Sequence, residues 1–331
     1  MNMPTNDTRV SRDDDFATHR LAATSAATIA PLKLLYWSVR RELWENRSLY
    51  LGPPLVAGVL LFAVVANAIY AGGKADHLIN SAVALDPTRE AAVFGSLTIG
   101  SLSAITAMML IITVFIVGAL YCLDALNGER RDRSILFWKS LPVSDLITVL
   151  SKAAIPLVVL PLVALASIVG MHLCMLVFTS AVQLLYGQSG ALPWTRAPFF
   201  QNALVLLYGL ATLALWHAPI YAWLLLVSSW AKRSVLLWAV LPPLVLAAIE
   251  GITLGNSYFA SLLAHRLGGS PADVFPFKMI DSKGGISPQI SSLSELDPLT
   301  FLTMPALWGG LAFAAACIAA AVWLRRRREP I

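Results

Sequence analysis

The stretch LTIGSLSAITAMMLIITVFIVGALYC, residues 97–122, contains no charged side chain. A helix needs about 20 apolar residues to cross the hydrocarbon core of a bilayer, which is about 30 Å thick. Five other stretches meet the same requirement, at residues 49–70, 153–179, 202–228, 234–254 and 304–324. These runs are continuously apolar and do not alternate as the strands of a β-barrel would. The sequence therefore predicts an all-α polytopic membrane protein with six transmembrane helices.

The composition of the whole chain agrees with that prediction. The 331 residues are 57% hydrophobic and only 13% charged, and the mean hydropathy is +0.71. A soluble domain carries about 25% charged residues. Residues 1–30 are polar and lack the apolar centre of a secretory signal, so we expect a disordered cytosolic tail there and an uncleaved first span. Residues 31–331 would form one six-span transmembrane domain.

Lysine and arginine placement predicts the orientation of the spans, because cytosolic loops carry an excess of both residues. Of the 24 basic residues, 18 lie before the first span, in the loop between spans 2 and 3, between spans 4 and 5, or after span 6. The other six lie in the remaining loops. We therefore expect both termini in the cytosol. The net charge of +5 reflects the excess of lysine and arginine in the loops on one side of the membrane. Since these residues are spread along the membrane edges, we expect no nucleic-acid partner.

Residues 31–47, PLKLLYWSVRRELWENR, precede the first span and have helical periodicity. Their apolar side chains fall on one arc of a helix, and most of their charged side chains fall elsewhere. An amphipathic helix lying on the cytosolic membrane surface fits this pattern better than an unstructured positive flank. The residues assigned to this interfacial helix are Trp37, Arg40, Arg41 and Trp44.

Motifs for the commoner kinds of membrane enzyme are absent from the sequence. Gly72, Gly73 and Lys74 lack the upstream glycine and the Ser or Thr of a phosphate-binding loop. We find no metalloprotease, redox or nucleophile-elbow motif. His172 and His217 fall deep in spans without a nearby carboxylate, which favours interhelical hydrogen bonding over proton relay or metal binding. We therefore predict no catalytic, metal or cofactor site in this chain.

The loop at 129–145, ERRDRSILFWKSLPVSD, separates two of the spans. Its first residues are suited to a solvated helix, because Glu129 and Arg133 are four positions apart. The next four residues, 135–138, are apolar and would point in all directions around a helix axis. Burial against protein suits that arrangement better than lipid does. Pro142 would end the helix, and Ser144 would cap the following one.

This loop resembles the cytosolic loop of bacterial ABC transporter permeases of the type-2 exporter class. The shared pattern is an "ER" element, an aliphatic patch, "SLPVS" and a following lysine, here Glu129-Arg130, Ile135-Leu136, residues 140–144 and Lys152. Residues 39–55, VRRELWENRSLYLGPPL, resemble the segment that joins the connecting helix to the first span in such permeases. Many relatives have Gly and Thr-Leu-Glu after the "ER" element, whereas this chain has Arg131-Asp132-Arg133-Ser134-Ile135-Leu136.

The resemblance implies a permease subunit of the cytoplasmic (inner) membrane that carries no ATPase of its own. A separate ABC ATPase subunit would bind ATP, and a second permease subunit, identical or paralogous, would complete the pathway. Residues 129–142 would be the coupling helix, with Phe137 and Trp138 as buried anchors. The basic residues among them would pair with charges of the ATPase. The residues assigned to this coupling loop are Glu129, Arg130, Arg131, Asp132, Arg133, Ile135, Leu136, Phe137, Trp138, Lys139, Leu141 and Pro142.

Two other functions stay open at this stage. A secondary transporter would need charges at mid-membrane or inverted repeats, and we find neither in the sequence. In a non-transport membrane scaffold without an ATPase partner, residues 129–145 would be a solvated connector. The sequence does not indicate the transported substrate, and the direction of transport follows from the resemblance alone.

Overall fold

The computed structural model describes most of the predicted transmembrane domain. The described residues are 31–82, 100–132, 144–185, 189–196, 199–255, 257–268, 277–282, 285–290 and 296–327. The predicted tail at 1–30 and residues 133–143 of the predicted coupling loop lie outside these ranges.

Helices account for almost all of the described residues. In chain order the elements are α1 (Pro31–Glu45), α2 (Ser48–Ala82), α3 (Gly100–Ala125), α4 (Asn127–Arg131), α5 (Asp145–Ala154), a π-helical turn (Ile155–Val159), α6 (Leu160–Leu185), α7 (Leu192–Arg196), α8 (Phe199–Trp230), α9 (Val235–Leu254), α10 (Tyr258–Leu267), β1 (Phe277–Ser282), β2 (Gly285–Ile290), α11 (Pro298–Thr303) and α12 (Pro305–Arg327).

Among the described residues, six helical stretches are long and apolar enough to cross a membrane, as the sequence predicts. They are Ser48–Ala66, Ser103–Arg131, Asp145–Leu185, Phe199–Trp230, Val235–Leu254 and Pro305–Arg327. The third stretch begins eight residues before the predicted position. Hydropathy places the start at residue 153 because Asp145 and Lys152 are charged, but both side chains pair with other charges within the fold. The helix therefore extends through them.

A π-helical turn interrupts the third stretch at Ile155–Val159. Pro156 lies in this turn and has no backbone N–H, so a regular α-helical hydrogen bond is missing there. Gly118 of α3 approaches the turn closely. A methyl group on Gly118 would lie 3.2 Å from both Leu160 and Tyr221. A proline inside a span predicts a distortion of the helix, and at Pro156 the distortion is a local change of helix type.

Helix α8 is the central element of the bundle. It has more buried residues than any other helix in the described part of the chain, including Trp216, whose exposure is 0%. Helix α12 packs along α8, with Cys317 and Ala314 against Ala218 and Ala222. Helix α9 lies at the periphery, where Ala239 is its one buried residue. The small side chains between α8 and α12 allow the two helices to approach closely.

The segment between α9 and α12 is more ordered than the sequence indicated. In residues 255–303, the amphipathic stretch SYFASLLAHRL predicts a short helix, and the Gly-, Ser- and Pro-rich remainder predicts an irregular loop. The helix is present as α10, and Glu250 accepts a hydrogen bond from the Phe259 amide in its first turn, at 2.7 Å. Beyond it, β1 and β2 pair as an antiparallel hairpin, with Phe277 opposite Ile290. This hairpin is a non-helical addition to the predicted all-α class.

Candidate functional site

One end of the bundle brings together four elements that are far apart in the sequence. Helix α1, the short helix α4, the start of α5 and the last turn of α12 meet there. The C-terminal end of α8 lies beside them. We call this region the basic end, because Arg41, Arg130, Lys152 and Arg325 lie in it.

Lys152 lies at the centre of the basic end, between two carboxylates. Its Nζ is 2.9 Å from Glu42 Oε1 and 3.0 Å from Glu129 Oε1. The exposed fractions of the Lys152 and Glu42 side chains are 3% and 1%. Tyr121 donates a hydrogen bond of 2.8 Å to the second oxygen of Glu42. A single buried ammonium group therefore joins α1, α4 and α5.

Arg325, in the last turn of α12, joins the two ends of the undescribed loop segment. Its Nη1 is 2.7 Å from Glu129 Oε2, before the segment, and its Nε is 3.0 Å from Asp145 Oδ1, after it. The Arg325 side chain is 5% exposed. Ser144 caps α5 by accepting a hydrogen bond from the Ile147 amide at 3.3 Å. Both ends of the segment are thus fixed to the same helix.

These groups form one connected set, which we call the charge cluster. Its members are Arg41, Glu42, Glu45, Glu129, Asp145, Lys152 and Arg325. Among the described residues of this set, three cations face four carboxylates, so their formal charge is −1. A buried ion is costly unless it is paired and hydrogen-bonded. Because each charge here lies beside an opposite charge, the arrangement is tolerated in a buried position. Glu45 is half-exposed, and burial raises the pKa of its carboxyl group while Arg41 opposes that shift.

A second contact fixes α4 to the end of α8. Arg130 is 5% exposed and donates hydrogen bonds of 2.7 Å to the carbonyls of Ser228 and Ala231. In return, the Ser228 hydroxyl accepts hydrogen bonds from the amides of Leu126 and Asn127, at 3.1 and 3.0 Å. Helix ends leave carbonyl and amide groups without partners, and each helix here satisfies those of the other. We call this contact the reciprocal cap.

The predicted coupling-loop residues fall into three groups. Glu129 and Arg130 point inward, where Glu129 joins the charge cluster and Arg130 joins the reciprocal cap. We expected Arg130 to pair with a partner protein, and the fold instead uses its guanidinium to cap α8. Arg131 and Asp132 are exposed and lie 3.5 Å apart. The remaining assigned residues, Arg133, Ile135, Leu136, Phe137, Trp138, Lys139, Leu141 and Pro142, lie outside the described residues.

The helix predicted over residues 31–47 is present as α1, Pro31–Glu45. Its residues are arranged differently from the expectation. Val39 and Leu43, from the predicted apolar arc, pack against the protein core. Trp37 and Trp44 are exposed, and Arg40 lies against both rings. Arg41 turns toward the charge cluster, 2.9 Å from Glu42.

Sequence reasoning missed Glu42, Glu45, Asp145 and Arg325 as members of the site. The sequence gives a weak indication for Glu42, which is an acidic residue at the edge of the apolar arc of α1. Arg325 was counted only as part of a basic tail, as is usual for arginines that follow a span. Nothing in the sequence pairs it with Glu129, which lies 196 positions away.

The two deep histidines make hydrogen bonds to the backbone. His172 Nε2 is 3.1 Å from the carbonyl of Ser103 on α3, an interhelical contact of the predicted kind. His217 Nδ1 is 2.9 Å from the Leu213 carbonyl of its own helix, and its ring packs on Phe115. Within the described ranges, no group of three or more His, Cys, Asp or Glu side chains is placed to hold a metal ion.

Another buried cation lies at the opposite end of the bundle. Arg266 of α10 donates hydrogen bonds to the carbonyls of Trp216, at 3.1 Å, and of Ala306. Its guanidinium carbon is 3.9 Å from the centre of the Trp216 ring. Burial lowers the pKa of this guanidinium. The residue ties α8, α10 and α12 together, and its hydrogen bonds are to backbone carbonyls.

Comparisons of the chain with known protein families, with characterised proteins and with solved structures found no match.

Proposed function

We propose that this chain is the membrane-spanning permease subunit of an ATP-binding cassette transporter, driven by a separate ATPase that docks on residues 129–142. The observation that carries the proposal is the double contact of Arg325 with Glu129 and Asp145, at 2.7 and 3.0 Å. A loop that only connects two spans needs no such attachment. A loop that receives force from a partner does need it.

The charge cluster would pass movement of the loop to the bundle. Displacement of the loop would pull on Glu129 and Asp145 together, and through them on Arg325 of α12 and Lys152 of α5. Separating buried ion pairs is costly, so these elements would move as one body. Because α12 packs along the central helix α8, movement of α12 would be passed on to the middle of the membrane domain.

The reciprocal cap adds a direct connection between the loop and α8. At the junction of α4 with the end of α8, Arg130 donates to the Ser228 carbonyl, and the Ser228 hydroxyl accepts from the amides of Leu126 and Asn127. The loop is therefore fixed to span 4 through the cap and to span 6 through the charge cluster. In this proposal Arg130 is a positioning residue within the permease, and contact with the ATPase falls to exposed residues of the loop.

The docking surface would consist of Arg131, Asp132 and the residues that follow them. Arg131 and Asp132 are both more than two-thirds exposed and available to a partner. Phe137 and Trp138 would be the anchors, since aromatic side chains dominate the binding energy of many interfaces. ATP would bind to the ATPase, because this sequence has no phosphate-binding loop. A second permease subunit, location in the inner membrane with both termini cytosolic, and outward transport complete the proposal.

Co-purification of the permease with its ATPase tests this function. Tagged full-length chain would be purified from native membranes in mild detergent, and P-loop ATPases in the eluate would be identified by mass spectrometry. We expect Phe137→Asp and Trp138→Asp to remove the ATPase while the permease stays monodisperse. Lys232→Asp is the control, because Lys232 is an exposed residue in the turn between α8 and α9.

Three outcomes would contradict the proposal. The wild-type chain could purify without any ATPase, which would favour a scaffold. The two loop variants could keep the ATPase, which would remove the docking assignment. Transport by liposomes that contain the chain alone, without ATP, would favour a secondary transporter.

A further inference from the structure

Helix α1 has two faces of opposite character. Lys33, Trp37, Arg40 and Trp44 are spaced i, i+4, i+7 and i+11, so they fall on one narrow stripe of the helix. Glu42 lies on the other side and is 1% exposed within the charge cluster. The stripe faces away from the bundle, since Trp37 is 56% exposed and Trp44 is 66% exposed.

Arg40 lies between the two indole rings of the stripe. Its guanidinium carbon is 5.1 Å from the centre of Trp37 and 4.8 Å from the centre of Trp44. Both distances are within the range of a cation–π interaction. The rings pack against the guanidinium and hold it in place. Its N–H groups remain able to donate, and no carboxylate among the described residues pairs with it.

The charge of the stripe is positive. It carries two cations, Lys33 and Arg40, and neither acidic residue of α1 belongs to it. Glu42 is buried on the opposite side, and Glu45 pairs with Arg41 at 3.4 Å. Only two residues separate α1 from Ser48, where the first apolar stretch begins. A cationic, aromatic surface is therefore placed beside the membrane border.

We propose that this stripe binds an anionic phospholipid headgroup, with the phosphate held by Arg40 and by Lys33. A guanidinium donates paired hydrogen bonds to phosphate oxygens, and prior positioning between two rings lowers the entropy lost on binding. The indole rings suit the water–lipid boundary, where one part of the ring is wet and another is apolar. This inference does not depend on the proposed transport function.

Charge and position favour lipid over a protein partner at this surface. The stripe is continuous with a membrane span, and its cations match the negative surface of a bilayer that contains anionic lipid. A protein partner would need its own carboxylates at the level of the headgroups. The stripe also lies on the same helix as Arg41 and Glu42, so bound lipid would fix the helix that holds one side of the charge cluster.

Native mass spectrometry of the full-length protein tests the proposal. Detergent-purified protein would be titrated with phosphatidylglycerol and, separately, with phosphatidylcholine of the same acyl chains. We expect the wild type to prefer phosphatidylglycerol. Arg40→Gln should weaken that preference about fivefold, which corresponds to one basic residue at an anionic surface. Arg40→Lys should keep most of it, because the charge remains.

Lys232→Gln is the matched control, as it removes one exposed cation from the same end of the bundle. It should leave the preference unchanged, and melting temperatures should be equal for all variants. An Arg40→Gln protein that keeps the wild-type preference would overturn the proposal. Equal losses in Arg40→Gln and Lys232→Gln would do the same, since net charge alone would then explain binding. Displacement of the lipid by an equal concentration of inorganic phosphate would show a small-anion site instead.

Discussion

The variant Lys152→Met examines the charge cluster most directly. Methionine approximates the length of the lysine stem but lacks the ammonium group that contacts Glu42 and Glu129 at 2.9 and 3.0 Å. The formal charge of the cluster changes from −1 to −2, because two cations then face four carboxylates. Neither carboxylate can turn to water easily, since their side chains are 1% and 10% exposed.

The expected loss of stability follows from this burial. Removing one partner of a buried ion pair costs about 3–5 kcal/mol. Glu42 still has Arg41 at 2.9 Å and Glu129 still has Arg325 at 2.7 Å. We therefore expect a loss of about 3 kcal/mol, at the lower end of that range. The double variant Glu42→Gln/Lys152→Met restores a charge of −1 and should recover about 1–2 kcal/mol.

Unfolding in mixed micelles measures these differences. The full-length protein in dodecyl maltoside would be titrated with sodium dodecyl sulfate, and the loss of helix would be followed by circular dichroism. Arg131→Met is the control, because it removes one side of an ion pair that is 69% and 67% exposed. Exposed pairs contribute about 0–1 kcal/mol. The reasoning fails if Lys152→Met is as stable as Arg131→Met, or if the double variant is no more stable than the single one.

Three further predictions concern capping and packing. Ser228→Ala should lower the free energy of unfolding by about 1–3 kcal/mol for each buried amide that is left without an acceptor. Ser229→Ala should have little effect, because the Ser229 hydroxyl donates to a carbonyl of its own helix. Titration with dodecyl sulfate compares the two variants. Gly310→Ala should destabilise the protein, since the added methyl group would lie 2.5 Å from the guanidinium of α10 and 2.9 Å from a rigid proline ring. Gly309→Ala meets nothing within 4 Å and should stabilise α12 by up to about 1 kcal/mol, as measured by the same titration. Asp297 caps α11, and its hydrogen bonds from that helix lower the pKa of the carboxyl group. The contribution of the cap is present above the ordinary carboxyl pKa and is lost as the pH falls through the lowered value, so the protection of the first-turn amides from hydrogen exchange should decrease over that range.

Each of these predictions has a result that would contradict it. Equal stabilities of Ser228→Ala and Ser229→Ala would mean that the reciprocal cap contributes nothing measurable. A Gly310→Ala protein as stable as Gly309→Ala would show that the neighbouring side chains move to accommodate the methyl group with no loss of stability. Asp297→Asn should keep the cap at neutral pH and remove its acid sensitivity, so unchanged acid sensitivity in that variant would assign the effect to another group.

The apolar pattern was sufficient to locate the membrane spans. All six predicted spans are present as helices, because the requirement for about 20 apolar residues is local and can be counted along the chain. Their ends were less predictable. Ser144 caps α5 as predicted, but the hydropathy count placed the start of the third span at residue 153, because Asp145 and Lys152 are charged in the sequence and are paired only in the fold. The hairpin at 277–290 was missed because its glycine and serine residues indicated only an irregular loop.

The positions of the charged residues could be predicted from the sequence only in part. Their sequence distribution predicted which segments gather at the basic end, since topology alternates from one span to the next. It did not distinguish charges that face outward, such as Arg131, from those that face inward, such as Arg130. Adjacent positions on a short helix differ by about 100° in direction, so local pattern alone cannot assign the buried one.

The sequence by itself determined that the chain is apolar enough to cross a membrane six times and that a charged, aromatic loop lies between spans 2 and 3. Only the tertiary structure decided that this loop is anchored. Lys152 and Glu42 are 110 positions apart, and Arg325 and Glu129 are 196 apart. Burial in a lipid-facing bundle is a local property of each segment, whereas the pairing of buried charges depends on which helices pack together.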